Sequence, residues 1–126
     1  MSVVITEILN GKRNLILHIY VRGDSDISNE VIVDPVNYGL TGANRFFTID
    51  SIQSGLSGFS ASLKFEYLAD DTLIWAIPEY DTCFDFTDYG GLKDRSNPLD
   101  GTGKVLLSTR GLSSGDEGSI VLRLRK

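Results

Sequence analysis

The sequence predicts an all-β protein: a single-domain β-sandwich or barrel-like sandwich of about nine short antiparallel strands spanning residues 1–126. Short apolar stretches alternate with a period of two, which a pleated strand requires and a helix does not. Gly, Pro, Asn and Asp interrupt them at short intervals, and no stretch sustains a helical period. The composition, 41% apolar and 23% charged in 126 residues, is that of a chain able to bury a core without disulfide or metal staples.

The elements follow in order. Val3 to Leu9 is an apolar run closed by Asn10-Gly11, a hairpin signal because both residues tolerate positive φ. The return run, Arg13 to Arg22, sets Leu15, Leu17, Ile19 and Val21 on one face and Ile16, His18 and Tyr20 on the other. A strand so apolar on both faces is expected to be covered on both, as a central strand or with its second face against a partner subunit. Glu30 to Asp34 is a short strand stopped by Pro35, and Val36 to Asn44 is a loop. Arg45 to Ser54 is the next strand, with Gly55 and Gly58 bracketing a turn. Phe59 to Leu68 has the cleanest alternation: Ala61, Leu63, Phe65 and Tyr67 against Ser60, Ser62, Lys64 and Glu66. Thr72 to Ile77, with Trp75 as a core residue, ends at Pro78. Thr82 to Thr87, Lys104 to Thr109 and Ser119 to Arg125 complete the set, the last with Ile120, Leu122 and Leu124 facing inward.

Charge and cysteine usage narrow the function classes. The net charge is -5, which argues against a nucleic-acid binder, since those carry a basic face. Nine acids lie between Glu66 and Asp100 against Lys93 and Arg95, while the chain ends in Arg123-Leu124-Arg125-Lys126. This asymmetry reads as a solvated acidic face or as complementarity between neighbouring copies. Cys83 is the single cysteine, so no intrachain disulfide forms, in keeping with a reducing compartment. No signal peptide or membrane span is expected, because no basic segment precedes a long apolar run.

No catalytic, cofactor or metal site is expected. His18, the one histidine, sits mid-strand and reads as a hydrogen-bonded structural residue, with no nucleophile beside it in sequence. One His and one Cys cannot furnish the usual zinc site. Asp81, Asp85, Asp88 and Asp94 lack the spacing of a calcium loop. Gly101-Thr102-Gly103-Lys104 matches part of a phosphate loop, but Val105 follows the lysine and a strand follows that. Those glycines are better read as a hairpin or bulge. Arg22-Gly23-Asp24 spells an adhesion tripeptide, yet Gly-Asp is ordinary turn chemistry.

One stretch carries a family resemblance. Phe84-Asp85-Phe86, Tyr89-Gly90-Gly91-Leu92, Pro98, Thr102-Gly103 and Val105-Leu106-Leu107-Ser108-Thr109 succeed one another, followed by a Gly115-Asp116 turn and the alternating strand to Lys126. In these residues, about the last 45, the chain resembles small tailed-bacteriophage virion structural proteins of the head-decoration, or cement, type. The resemblance implies a β-sandwich or barrel with no enzymatic activity and no cofactor. It also implies a homo-oligomer, with a trimer favoured, binding the phage major capsid protein or other virion proteins, assembled in the host cytoplasm and carried in the virion. Neither nucleic acid nor membrane is an expected partner. The residues put forward for protein contact are Lys93, Asp94, Arg95 and Asn97 in the polar loop, with Arg123 and Arg125 in the last strand. The alternatives are a neck, tail or fibre component, or a carbohydrate-binding β-sandwich using Trp75, tyrosines and Asp81 or Asp85.

Overall fold

A computed structural model describes residues 2–40, 42, 46–68, 71–93 and 101–126. Among the described residues, ten strands form two antiparallel sheets facing each other, an open β-sandwich rather than a closed barrel. The strands are β1 (Ser2–Asn10), β2 (Asn14–Arg22), β3 (Glu30–Val33), β4 (Thr48–Ser57) and β5 (Ser60–Tyr67). They continue with β6 (Thr72–Ile77), β7 (Thr82–Asp85), β8 (Leu92–Lys93), β9 (Gly101–Arg110) and β10 (Glu117–Arg125). The first sheet runs β1-β2-β10-β4-β7, with β8 also on β4; the second runs β3-β9-β5-β6.

The alternation read from sequence is the alternation of burial. Leu15, Leu17, Ile19 and Val21 of β2 and Ile120, Leu122 and Leu124 of β10 are all sealed from solvent, opposite Leu63, Val105 and Leu107 of the second sheet within one core cluster. Each such side chain contributes about 1.5–3 kcal/mol relative to exposure. The outer face of β2 is half-buried: Ile16, His18 and Tyr20 lie between β1 and β10, with His18 opposite Thr6 and Val121.

Several boundaries differ from the expectation. β4 runs through Gly55 to Ser57, because Gly55 pairs with Ser119 instead of turning the chain. β9 begins at Gly101 and takes up the glycines as a bulge: Tyr67 faces Gly101 while Phe65 faces Val105, so extra residues crowd β9 where Gly103 has φ 82°. Pro35–Tyr38 forms a 3-10 turn within the expected loop, started by Asp34, whose Oδ1 accepts from the Val36 N–H at 3.2 Å.

The predicted strand Thr82–Thr87 stops at Asp85. The chain makes a 3-10 turn at Thr87–Tyr89 and rejoins β4 as β8. β7 pairs with Ser51–Ser54 and β8 with Thr48–Ile49, both antiparallel. They are two halves of one edge strand with a turn inserted between them.

Candidate contact surfaces

The inserted turn has a specific lock. In the pairing of β4 with β10, Ser51 faces Arg123 and Ile49 faces Leu124, so Asp50 is an extra residue that bulges out of register. The bulge leaves Ile49 and Asp50 both buried and aims the Asp50 carboxylate at the sheet edge. There Arg125 donates from Nε to both Asp50 oxygens at 2.9 Å and from Nη2 to the Gly90 carbonyl at 2.7 Å. The Phe86 N–H donates to the Asp50 carbonyl at 2.8 Å, and the Gly91 N–H to the Phe86 carbonyl at 2.8 Å. Gly91 has φ 85°, and a Cβ there would strike the Thr48 side chain and sit 2.9 Å from Asp50 Oδ1. Only glycine fits, which explains the second glycine of Tyr89-Gly90-Gly91.

Just before the turn, Asp85 Oδ1 accepts from the Thr87 hydroxyl at 2.6 Å and from the Thr87 N–H at 2.9 Å. Above all these two bonds, helped by Arg123 3.9 Å away, hold the Asp85 carboxyl below its ordinary pKa. Beside this turn a group of aromatic rings meets. Trp75 of β6 meets Phe84 and Phe86 edge-on, with ring centroids 5.1 and 4.9 Å apart, and so joins the two sheets along this side.

The residues put forward for contact separate in this setting. Lys93 is exposed at the end of β8, and Arg123 is half-exposed on the outer face near Asp85. Arg125 is committed inside the chain to Asp50 and Gly90, so its first role is structural. Asp94, Arg95 and Asn97 lie outside the described residues. Among the described residues, no group of three or more His, Cys, Asp or Glu is placed to hold a metal. Trp75 is half-buried under the two phenylalanines. Arg22 ends β2 in register with Ser2 and Glu117, inside the sheet and not at a loop tip. Beside it, Tyr20 donates its hydroxyl to Glu117, and that bond, more than burial, raises the phenol above its ordinary value.

A second surface was not singled out from sequence. On the opposite side of the sandwich, β1 is the free edge of the first sheet and β3 that of the second. Val4, Ile5, Ile8 and Leu9 are exposed there, with Val4 and Ile8 at 58%. Between the two edges lies a cleft of about 310 Å³, lined by Ile5, Val31, Ile32 and Tyr38 together with Glu7 and Asp34. Burial, and to a lesser degree the Glu7 carboxylate, raise the Tyr38 phenol above its ordinary value. The available signal was the apolar run Val3–Leu9 itself.

No protein-family model, curated protein or solved structure matches this chain.

Proposed function

We propose that this chain is a non-enzymatic virion structural protein of a tailed phage, of the head-decoration (cement) type, binding the outside of the capsid through protein–protein contacts. The support from sequence is the motif running from Phe84 to the C-terminal strand. The single structural observation that carries the reading is the exposed apolar edge formed by Val4, Ile5, Ile8 and Leu9. Apolar surface left in water and gathered along one edge is what a protein-contact surface offers. In this reading copies associate with one another, three being the favoured number, and bridge neighbouring capsid subunits. They stabilise the shell by burying surface at seams that internal pressure would open.

Mass spectrometry of purified virions tests this. The expected result is the chain at a copy number matching the capsid lattice; its absence from particles ends the proposal. A low copy number, with label density at the neck or tail in electron micrographs, would move the assignment to another virion part. Sedimentation of the purified protein tests the self-association. The carbohydrate reading predicts glycan binding that Trp75→Ala abolishes, whereas the contacts of Trp75 with Phe84 and Phe86 favour a packing role.

A further inference from the structure

Sheet edges are sites of unwanted pairing, and folded proteins blunt them. Three of the four edges in this sandwich are blunted. β3 has four residues and runs into Pro35; β6 has six, with a register irregularity opposite Leu63/Lys64, and runs into Pro78; β7 and β8 are separated by the turn at Thr87–Tyr89. β1 carries such devices only toward its far end, where Glu7 points inward and the register shifts. It presents nine residues, without proline or lysine, and among the described residues it pairs only with β2. Its irregularity lies near the far end, between Glu7 and Leu9.

The cleft beside this edge shows what would pair with it. A strand added to β1 directs every second side chain to the inner face, where Val3, Ile5 and Glu7 already point, opposite Val21, Ile19 and Leu17. The cleft is lined by Ile5, Val31, Ile32 and Tyr38 together with Asn37 and two carboxylates, Glu7 and Asp34, with no lysine or arginine among the lining residues. An incoming strand therefore meets an apolar position and, two residues along, an anionic one. A second copy of β1 is a poor match, because its one charge is another Glu7.

We propose that the free edge of β1 binds an extended segment of another protein by strand addition, and that this segment carries aliphatic residues facing Ile5 and a basic residue facing Glu7 and Asp34. Main-chain hydrogen bonds along Val3–Leu9 supply most of the affinity, and the cleft supplies the selectivity. The inference stands on the edge and the cleft alone. It holds whether or not the protein belongs to a virion.

The test uses the intact protein and three capped heptapeptides: Thr-Lys-Thr-Val-Thr-Val-Thr, the same with Glu in place of Lys, and the same with Pro in place of the first Val. Titration is followed by the backbone amide signals in NMR. The lysine peptide is expected to saturate and to shift the amides of Val3–Leu9 and Tyr38. The glutamate peptide should bind about fivefold more weakly, from one favourable charge pair replaced by a repulsive one. The proline peptide should not bind. Glu7→Lys, at an exposed position, should remove most of the preference between the first two, since Asp34 then stands alone against the introduced lysine. Absence of saturable shifts on β1 up to millimolar peptide overturns the proposal, as does a charge preference unchanged by Glu7→Lys. Concentration-dependent self-association without peptide, with protection of β1 amides that Thr6→Pro removes, would assign the edge to a second copy and overturn it as well. A negative result here leaves the virion proposal standing, because that proposal needs only that the apolar edge and the motif from Phe84 onward serve protein contact of some kind, and the composition of purified virions tests it separately.

Discussion

The two long sides of the sandwich carry similar apolar residues and treat them in opposite ways. On one side Trp75 of β6 reaches across to Phe84 and Phe86 and joins the sheets. On the other, Ile5 of β1 and Val31 of β3 both stay 39% exposed beside a cleft. Reach explains much of the difference. Packed sheets stand roughly 10 Å apart, and facing rings fill that gap from opposite edges while an Ile and a Val do not. The edge strands differ as well. The closed side is interrupted by a turn held by Asp50, Arg125 and Gly90, whereas β1 on the open side spans nine residues with one irregularity near its far end. Side-chain size and backbone interruption thus work together. One side contributes to stability and the other presents surface.

The largest expected effect follows from removing the closure. Phe86 is 7% exposed and packs on Trp75. Phe86→Ala should cost about 3 kcal/mol in chemical denaturation, the lower end for a large buried ring because the site lies near an edge. A loss below about 1 kcal/mol would show that the aromatic contacts do not close this side. Next comes the lock. Asp50→Ala removes a nearly buried carboxylate that takes two bonds from Arg125 and should cost about 2 kcal/mol. Hydrogen exchange at Tyr89, Gly90 and Gly91 should accelerate beyond that of the β2–β10 ladder. Uniform acceleration would mean that the turn is not held separately.

Much of the closed side was legible in the sequence and little of its mechanism was. Alternation in Phe59–Leu68 and in Ile120–Leu124 located the inward faces, because a half-buried strand has no other way to place its side chains. The glycines at 101 and 103 read as a hairpin or a bulge, and they form the bulge. The return of the chain to β4 as β8 did not show, because it depends on Asp50 slipping out of register with β10, a long-range pairing with no local signature. Arg125 read as a surface cation for the same reason: its carboxylate partner lies 75 residues away. The open side was half legible. The apolar run Val3–Leu9 was plain, but its exposure depends on which strand ends each sheet, and periodicity does not report sheet order.

Substitutions on the open side supply the contrast. Val4 is 58% exposed, and Val4→Lys should change stability by less than about 0.5 kcal/mol, as surface changes do. The same change places a charge on a free edge and should lower any association that uses β1. Sedimentation beside a denaturation curve separates the two effects. A stability loss comparable to that of Phe86→Ala would mean that the open side is part of the core, and the division between the sides would fall.

The smallest effect is a charge effect at the junction of β7 with its turn. The Thr87 hydroxyl and N–H donate to Asp85, with a lesser contribution from Arg123, and keep its carboxyl ionised to lower pH than in the unfolded chain. Ionised Asp85 therefore stabilises the fold at every pH above the unfolded carboxylate value. That contribution is lost as the pH falls through the lower, folded value. Asp85→Asn keeps an oxygen for the Thr87 N–H but carries no charge. The variant should be slightly less stable than the parent at neutral pH, and the two denaturation midpoints should converge in acid. Asp85 is exposed, so the gap is small and shrinks with added salt. A gap unchanged by pH would mean that the turn depends on the shape of the Asp85–Thr87 contact and not on its charge, leaving the Asp50–Arg125 pair to hold the interruption.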